Sequence, residues 1–441
     1  MTCCIRCLLF FFFALLPFTV SAQFQERGIP YGRYYGPREY EADPQNWVAH
    51  QRSNGVMYFG NGDGIMTYNG ERWNLTPLPN SNLVRSLCEK DDVLFIGGYS
   101  EIGFLREEMP GTPTYVTLTD KLPEHQRDFG HVWSTVYHHG SIYFTTDQGI
   151  YIWKENHFDS LIVDSSYPRA FHSVCNDTMY IQPVMGSLSI IQGQKVNPVK
   201  GGDFYSDKRI TAIMPFSGGV KMICTLDHGV FLYDGRRSTP FETAAQSFLR
   251  TNRLYKAIRL SDGTYAFGTL NGGVVLLKHD GAIIQLLDKK SGLGDNAVYN
   301  LTEDREGGLW ITHSVGITRV AFRQPFTWFD SRNGLEGAVN DIIRFEGDLY
   351  VGTMLGLYKL RPASSFEHAA KFEKVHEVSS SVWAMAARHG ALLLITDDGT
   401  MQLKGGRFSV VDHYSGAVMH ASSFDPDVVY VGLVDGIVRI E

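Results

Sequence analysis

The sequence predicts an all-β chain of repeated four-stranded antiparallel sheets, and three observations lead there. The first is a phrase of one apolar strand, a glycine-marked turn and a second strand. It recurs ten times, from Met57-Tyr58-Phe59-Gly60 to Val429-Tyr430-Val431-Gly432. Its turn glycines, Gly64, Gly103, Gly149, Gly186, Gly229, Gly273, Gly316, Gly356, Gly399 and Gly436, stand 37 to 46 residues apart. The second is the chemistry of each copy, in which β-branched and aromatic runs bounded by Asp, Gly and Ser read as strands joined by hairpin turns. The third is the near absence of helical periodicity, with Thr243 to Arg250 and Phe366 to Val375 the candidates. One such meander cannot bury both faces alone, and a period of roughly 40 to 50 residues with four strands identifies each copy as a propeller blade.

In chain order, residues 1–22 read as a signal peptide. Arg6 supplies the positive start, Leu8 to Leu16 is an apolar run too short to span a bilayer, and Val20-Ser21-Ala22 is a small-residue cleavage site. Export follows, and no later stretch offers about 18 consecutive apolar residues. Residues 23–44, rich in Tyr, Arg, Gly and Pro, read as an extended lead-in able to add a closing strand. The first blade opens at Gln45-Asn46-Trp47 and reaches Trp73. Residues 45–330 hold seven repeats and read as a seven-bladed propeller, and 331–441 read as the first three blades of a second, incomplete one, since four to eight blades is the usual range. A single ten-bladed ring is the other possible cut. Phe326-Thr327-Trp328-Phe329, after a proline, is expected to supply the outer strand of the seventh blade.

The composition, 44% hydrophobic and 20% charged, suits a large globular β protein. The net charge of −7 argues against a nucleic-acid partner. Beyond residue 22 the cysteines are Cys88, Cys175 and Cys224, far apart and in or beside apolar strands, hence small core residues. No Gly-x-Ser-x-Gly, His-Glu-x-x-His or Cys-x-x-Cys occurs there, so no catalytic residue, metal site or cofactor is expected. The pairs Glu107-Glu108, Asp91-Asp92, Asp397-Asp398 and His138-His139 fall at turns and read as solvated hairpin residues. In the seventh repeat Asp304 is expected to bond its own turn, Gly307 and Gly308 to tolerate positive φ, and Trp310 to pack between blades. His313 stands where other copies carry Thr269 and Thr353, and reads as a turn or surface residue.

Gly292-Leu293, Asn296-Ala297-Val298-Tyr299 and Glu303-Asp304-Arg305-Glu306-Gly307-Gly308-Leu309-Trp310-Ile311 together resemble the two-component-regulator propeller repeat. Gln45-Asn46-Trp47, Met57 to Asn61 and Tyr68-Asn69-Gly70 are similar to the first blade of Bacteroidetes sensor proteins that carry it. The resemblance spans the chain beyond the signal, sharpest at Leu293 to Ile311 and weakest at Met179 to Ile191. It implies a periplasmic sensing region of a hybrid two-component or helix-turn-helix regulator. In that family two seven-bladed propellers precede a Tyr-rich sandwich domain, a membrane span and the output domain. Membrane attachment and homodimer formation would then belong to segments missing from this chain. No binding residue carries over by motif.

In a propeller the first strand of each blade lines the central channel. Counting back about ten residues from each second-strand aromatic reaches Trp47, Arg85, Trp133, His172, Arg209 and Tyr255. Rings that stack on sugars, beside arginines that pair with sulfate or carboxylate, suit an anionic or neutral oligosaccharide. The expected function is non-catalytic sensing of a small-molecule or oligosaccharide ligand. A polysaccharide lyase or hydrolase, or an interaction scaffold, is the alternative.

Overall fold

The computed structural model describes residues 26–441 apart from 80–82, 110–111, 162–169, 185, 194, 325, 368 and 426. The signal peptide expected at residues 1–22 therefore lies outside the described residues. The rest forms nine four-stranded sheets and one three-stranded sheet of antiparallel strands. The first sheet is typical: Asn46–Gln51, Met57–Asn61, Gly64–Tyr68 and Trp73–Thr76, so the blade runs past Trp73 to Thr76. Second strands such as Met57–Asn61, Tyr265–Thr269 and Leu309–His313 are buried at every position, whereas Trp73–Thr76 at the outside is not. Each middle strand has a blade on either face, which is why its sequence is continuously apolar rather than alternating.

Seven first strands neighbour one another in chain order: Asn46–Gln51, Val84–Lys90, Val132–His138, Phe171–Cys175, Ile210–Pro215, Leu254–Arg259 and Val298–Glu303. The last of these also neighbours the first. Val339–Phe345, Val382–Arg388 and Val418–Ala421 form a further run of neighbours. Apolar clusters fill the seams between sheets; Val274, Leu276 and Leu287 of the sixth pack with Val298, Leu301 and Leu309 of the seventh.

The seventh sheet borrows its outer strand from the lead-in. Gly32–Tyr35 pairs with Ile317–Val320, with Gly32 opposite Val320 and Tyr35 opposite Ile317. The expectation for Phe326 to Phe329 is thereby corrected, since Trp328 instead makes an isolated bridge with Ile29. Packing decides the contest. Tyr35 is 4% exposed, whereas Phe326 and Trp328 remain half in solvent. Tyr34 lies against Gly316, at φ +83°, where a Cβ would come within 2.3 Å of its ring.

A helix, Gln246–Thr251, falls close to its expected place. Phe366 to Val375 does not form one: Lys371–Lys374 is an outer strand paired with Gly356–Arg361, because burying Phe372 between polar neighbours needs the two-residue alternation of a strand. At the seventh repeat's turn, Asp304 Oδ1 accepts from the Gly308 amide (2.7 Å), and Oδ2 accepts from Trp310 Nε1 (2.8 Å) and Arg319 Nε (2.6 Å). Gly307 has φ +76°, but Gly308 is not in the left-handed region; it is required for space, a Cβ there lying 2.6 Å from Asp304 Oδ2. Cys88, Cys175 and Cys224 are free, the last two buried and the first half-buried.

Candidate functional site

Most of the inner strands of the ring share one irregularity. Their register with the second strand slips by a residue at Trp47, Arg85, Trp133, Thr211, Tyr255 and Tyr299. A bulge leaves that residue unpaired and re-aims its side chain. All six bulge residues line one cavity of about 430 Å³, within the size range of ligand pockets. Phe171 and His172 line it from the fourth blade, whose pairing is regular.

The six residues expected from the sequence, Trp47, Arg85, Trp133, His172, Arg209 and Tyr255, all line this cavity. Arg209 does so from just ahead of its strand, the bulge of that blade being Thr211. The count missed Tyr299, although Trp310 points to it by the same spacing. It also missed Lys256 and Asn300, which stand one residue beyond the bulges and give no local signal.

The rings form a ladder across the blades. Tyr255 meets Tyr299 edge-on, centroids 6.2 Å apart, and Tyr299 stacks on Trp47 at 4.6 Å and 13°. The Arg85 guanidinium then lies 4.0 Å from the Trp47 ring and 4.3 Å from that of Trp133. Trp47 thus carries a phenol on one face and a cation on the other, which leaves it no face for a sugar and corrects the expected stacking role. Arg85 is a clamp between two indoles, each cation–π contact worth about 0.5 to 2 kcal/mol. Trp133 is fixed further by donating its Nε1 hydrogen to Asp147 Oδ1 (2.7 Å), and Trp383 repeats that bond to Asp397 in the ninth sheet.

His172 is buried, lies 2.9 Å from Ser134 Oγ through Nδ1 and contacts Thr145 Oγ1. Desolvation pushes its pKa down to about 3, so it is a neutral wall residue. His313 is buried too, which corrects its expected surface place. Its Nε2 lies 2.9 Å from Thr318 Oγ1, in the turn that Thr269 closes in the sixth sheet by donating to the Gly273 carbonyl (3.0 Å). Burial holds its pKa at about 4.

Both histidines charge readily once unfolded, near the ordinary value of 6.5. Their contribution is therefore complete above that pH and is lost as the pH falls towards 4. Between pH 6.5 and 5 each is expected to remove about 2 kcal/mol, at about 1.4 kcal/mol per pH unit. Urea unfolding at pH 7.5 and 5 checks this, and His172→Gln should remove about half of the difference, His313 keeping the rest; an unchanged pH dependence in that variant would refute the assignment.

Lys256 lines the cavity half-buried, with no hydrogen bond or ion pair for its amino group among the described residues, and desolvation lowers its pKa. Among the described residues the lining holds three cations, Arg85, Arg209 and Lys256, and no Asp or Glu. Elsewhere His138, His139 and Asp177 converge on two adjacent hairpin turns, with His138 Nε2 3.1 Å from the Asp177 carbonyl oxygen.

The family described as two component regulator propeller matches residues 292–314. No curated protein sequence matches the chain. Among solved structures, the extracellular domain of BT3049 from B. thetaiotaomicron, described as a hybrid two component system, is 14% identical with a TM-score of 0.58, over 93% of this chain and 65% of that one. The corresponding domain of BT4673 from the same organism is 14% identical with a TM-score of 0.54, over 93% of this chain and 58% of that one. A streptogramin B lyase is 13% identical with a TM-score of 0.51, over 66% of this chain and 96% of that one. The chain spans about three fifths of the length of the two B. thetaiotaomicron domains. It is a β-propeller protein that carries the two component regulator propeller repeat.

Proposed function

We propose that this chain is the exported, non-catalytic sensing region of a signal-transduction regulator, and that its central cavity takes an oligosaccharide. The observation that carries the proposal is the cavity itself. The inner strands of the first seven sheets each send a side chain to one space, and among those side chains are the rings of Trp47, Trp133, Phe171, Tyr255 and Tyr299, the Asn300 amide, the Thr211 hydroxyl and the cations Arg85 and Lys256, beside the apolar Ile210. Such a lining offers rings against the apolar patches of a sugar and donors for its oxygens. Tyr255 has no stacked ring partner among the described residues, and Arg209 is exposed at the rim. The printed names of the B. thetaiotaomicron neighbours support placement outside the cytoplasm and a place in signalling. We further assign residues 45–330 to one ring and 331–441 to the start of a second.

A thermal-shift panel of neutral, uronic and sulfated oligosaccharides tests the proposal. At about 100 times the dissociation constant a ligand adds about 2.7 kcal/mol to the native state, enough to raise the melting temperature visibly. Tyr255→Ala and Arg209→Ala are expected to remove the shift while leaving the ligand-free protein nearly as stable. Arg85→Ala is not a neutral probe, since it also removes the indole clamp. A shift that survives both substitutions would place the site elsewhere, and cleavage of the sugar on chromatography would replace sensing by catalysis.

A further inference from the structure

We propose that the central cavity seats an acidic group of its ligand, a carboxylate or sulfate, on Lys256 with Arg209 at the rim; this rests on that cavity being the ligand site. The charge is one-sided: among the described residues three cations and no carboxylate line a cavity in a chain of net charge −7. Arg85 turns its guanidinium to two indoles, but neither Arg209 nor Lys256 has a side-chain hydrogen bond or ion pair among the described residues.

Lys256 is the more telling of the two. It occupies the first paired position after the bulge, opposite Gly268. The other six blades of the ring carry Val48, Ser86, Ser134, His172, Ala212 and Asn300 at that position. His172 is held neutral, so Lys256 is the sole cation of that layer. A half-buried ammonium without a counter-charge is unfavourable, and desolvation lowers its pKa accordingly. The Thr211 hydroxyl, on the neighbouring blade, is buried and also lacks a partner. An acidic guest would supply the missing acceptor, in a charge-assisted hydrogen bond.

The test is acetylation of the intact chain with sulfo-N-hydroxysuccinimide acetate, read by mass spectrometry at Lys256 and, as a surface control, at exposed Lys404. Sodium sulfate is compared with sodium chloride at equal ionic strength, and trigalacturonate with its methyl ester, which has the same backbone without the charges. Sulfate and trigalacturonate are each expected to slow modification of Lys256 about ten-fold or more, the ester and chloride to leave it unchanged, and Lys404 to respond to none of them. Lys256→Met should abolish the rise in melting temperature that trigalacturonate produces over its methyl ester, and its ligand-free melting temperature should equal or exceed the parent's, because an unpaired charge has been removed.

Absence of protection by both anions, or a trigalacturonate shift over its ester that persists in Lys256→Met, would overturn the proposal. An ester that shifts the melting temperature as much as the acid would refute the acidic group and keep the sugar. Protection by sulfate with no response to either sugar would keep the anion seat and refute the oligosaccharide.

Discussion

Replacing Trp310 with alanine is expected to cost about 3 to 5 kcal/mol, the range for deleting a large buried aromatic. Trp310 is 3% exposed and sits in the seam between the seventh sheet and the first. Its ring stacks on Tyr35 at 5.6 Å and 17°, lies 5.4 Å from Phe59 and meets Tyr68 at 6.0 Å. Three strands far from Trp310 in the chain thus converge on its side chain, and the gap it would leave is walled by strands that cannot collapse separately. The substitution also removes a donor from Asp304, whose other oxygen stays bonded to Gly308. Trp310→Phe, which keeps a ring but loses that hydrogen bond, should cost less than Trp310→Ala. Trp133→Ala, at the half-buried cavity wall, should cost less than half as much as Trp310→Ala. Urea unfolding of the three variants checks the order, and equal losses for Trp310→Ala and Trp133→Ala would contradict it.

Starting the chain at Gln45 is expected to abolish cooperative unfolding altogether. That truncation removes Gly32–Tyr35 from the seventh sheet and leaves Ile317–Val320 as an open edge. It also removes Tyr35 and Tyr40, 4% and 3% exposed, from the cluster around Trp310. Two losses of about 3 to 5 kcal/mol each are comparable with the whole stability of a typical domain, about 5 to 15 kcal/mol. Ending the chain at Asp330 should do far less. What it loses against the ring is peripheral: the exposed Glu26–Arg344 ion pair, which solvent screens, and single aromatic contacts such as Phe366 with Phe248 at 5.7 Å and Phe372 with Phe329 at 5.4 Å. Calorimetry of both truncations decides. A cooperative transition in the first, or its absence in the second, would refute the assignment of 45–330 as one ring closed by the lead-in.

The cavity shows how a repeat makes a site partly legible. Equivalent strands put equivalent residues at the channel, so a count from the second-strand aromatics was enough to reach Trp47, Arg85, Trp133, His172, Arg209 and Tyr255. The count could not separate Arg209 from Thr211, because a bulge adds a residue without changing the hydrophobic pattern around it. Nor could it say that Arg85 lies between two indoles, since those belong to blades on either side of its own.

What the sequence determined by itself is whatever local chemistry repeats: ten copies of an apolar strand with its glycine turn, the hairpins that join the strands of a copy, and the approximate place of most channel residues within their copies. Hairpin pairing joins residues close in the chain, so propensity and turn type are enough to specify it. The tertiary structure alone decided three things: that Gly32–Tyr35 rather than Phe326 to Phe329 completes the seventh sheet, that His313 is buried, and that Lys256 stands without a counter-charge. Each depends on which distant segment arrives at a given face. A strand edge accepts any segment with free amides and carbonyls, and the winner is the one whose side chains bury best in the seam, a property of the assembled ring rather than of either segment.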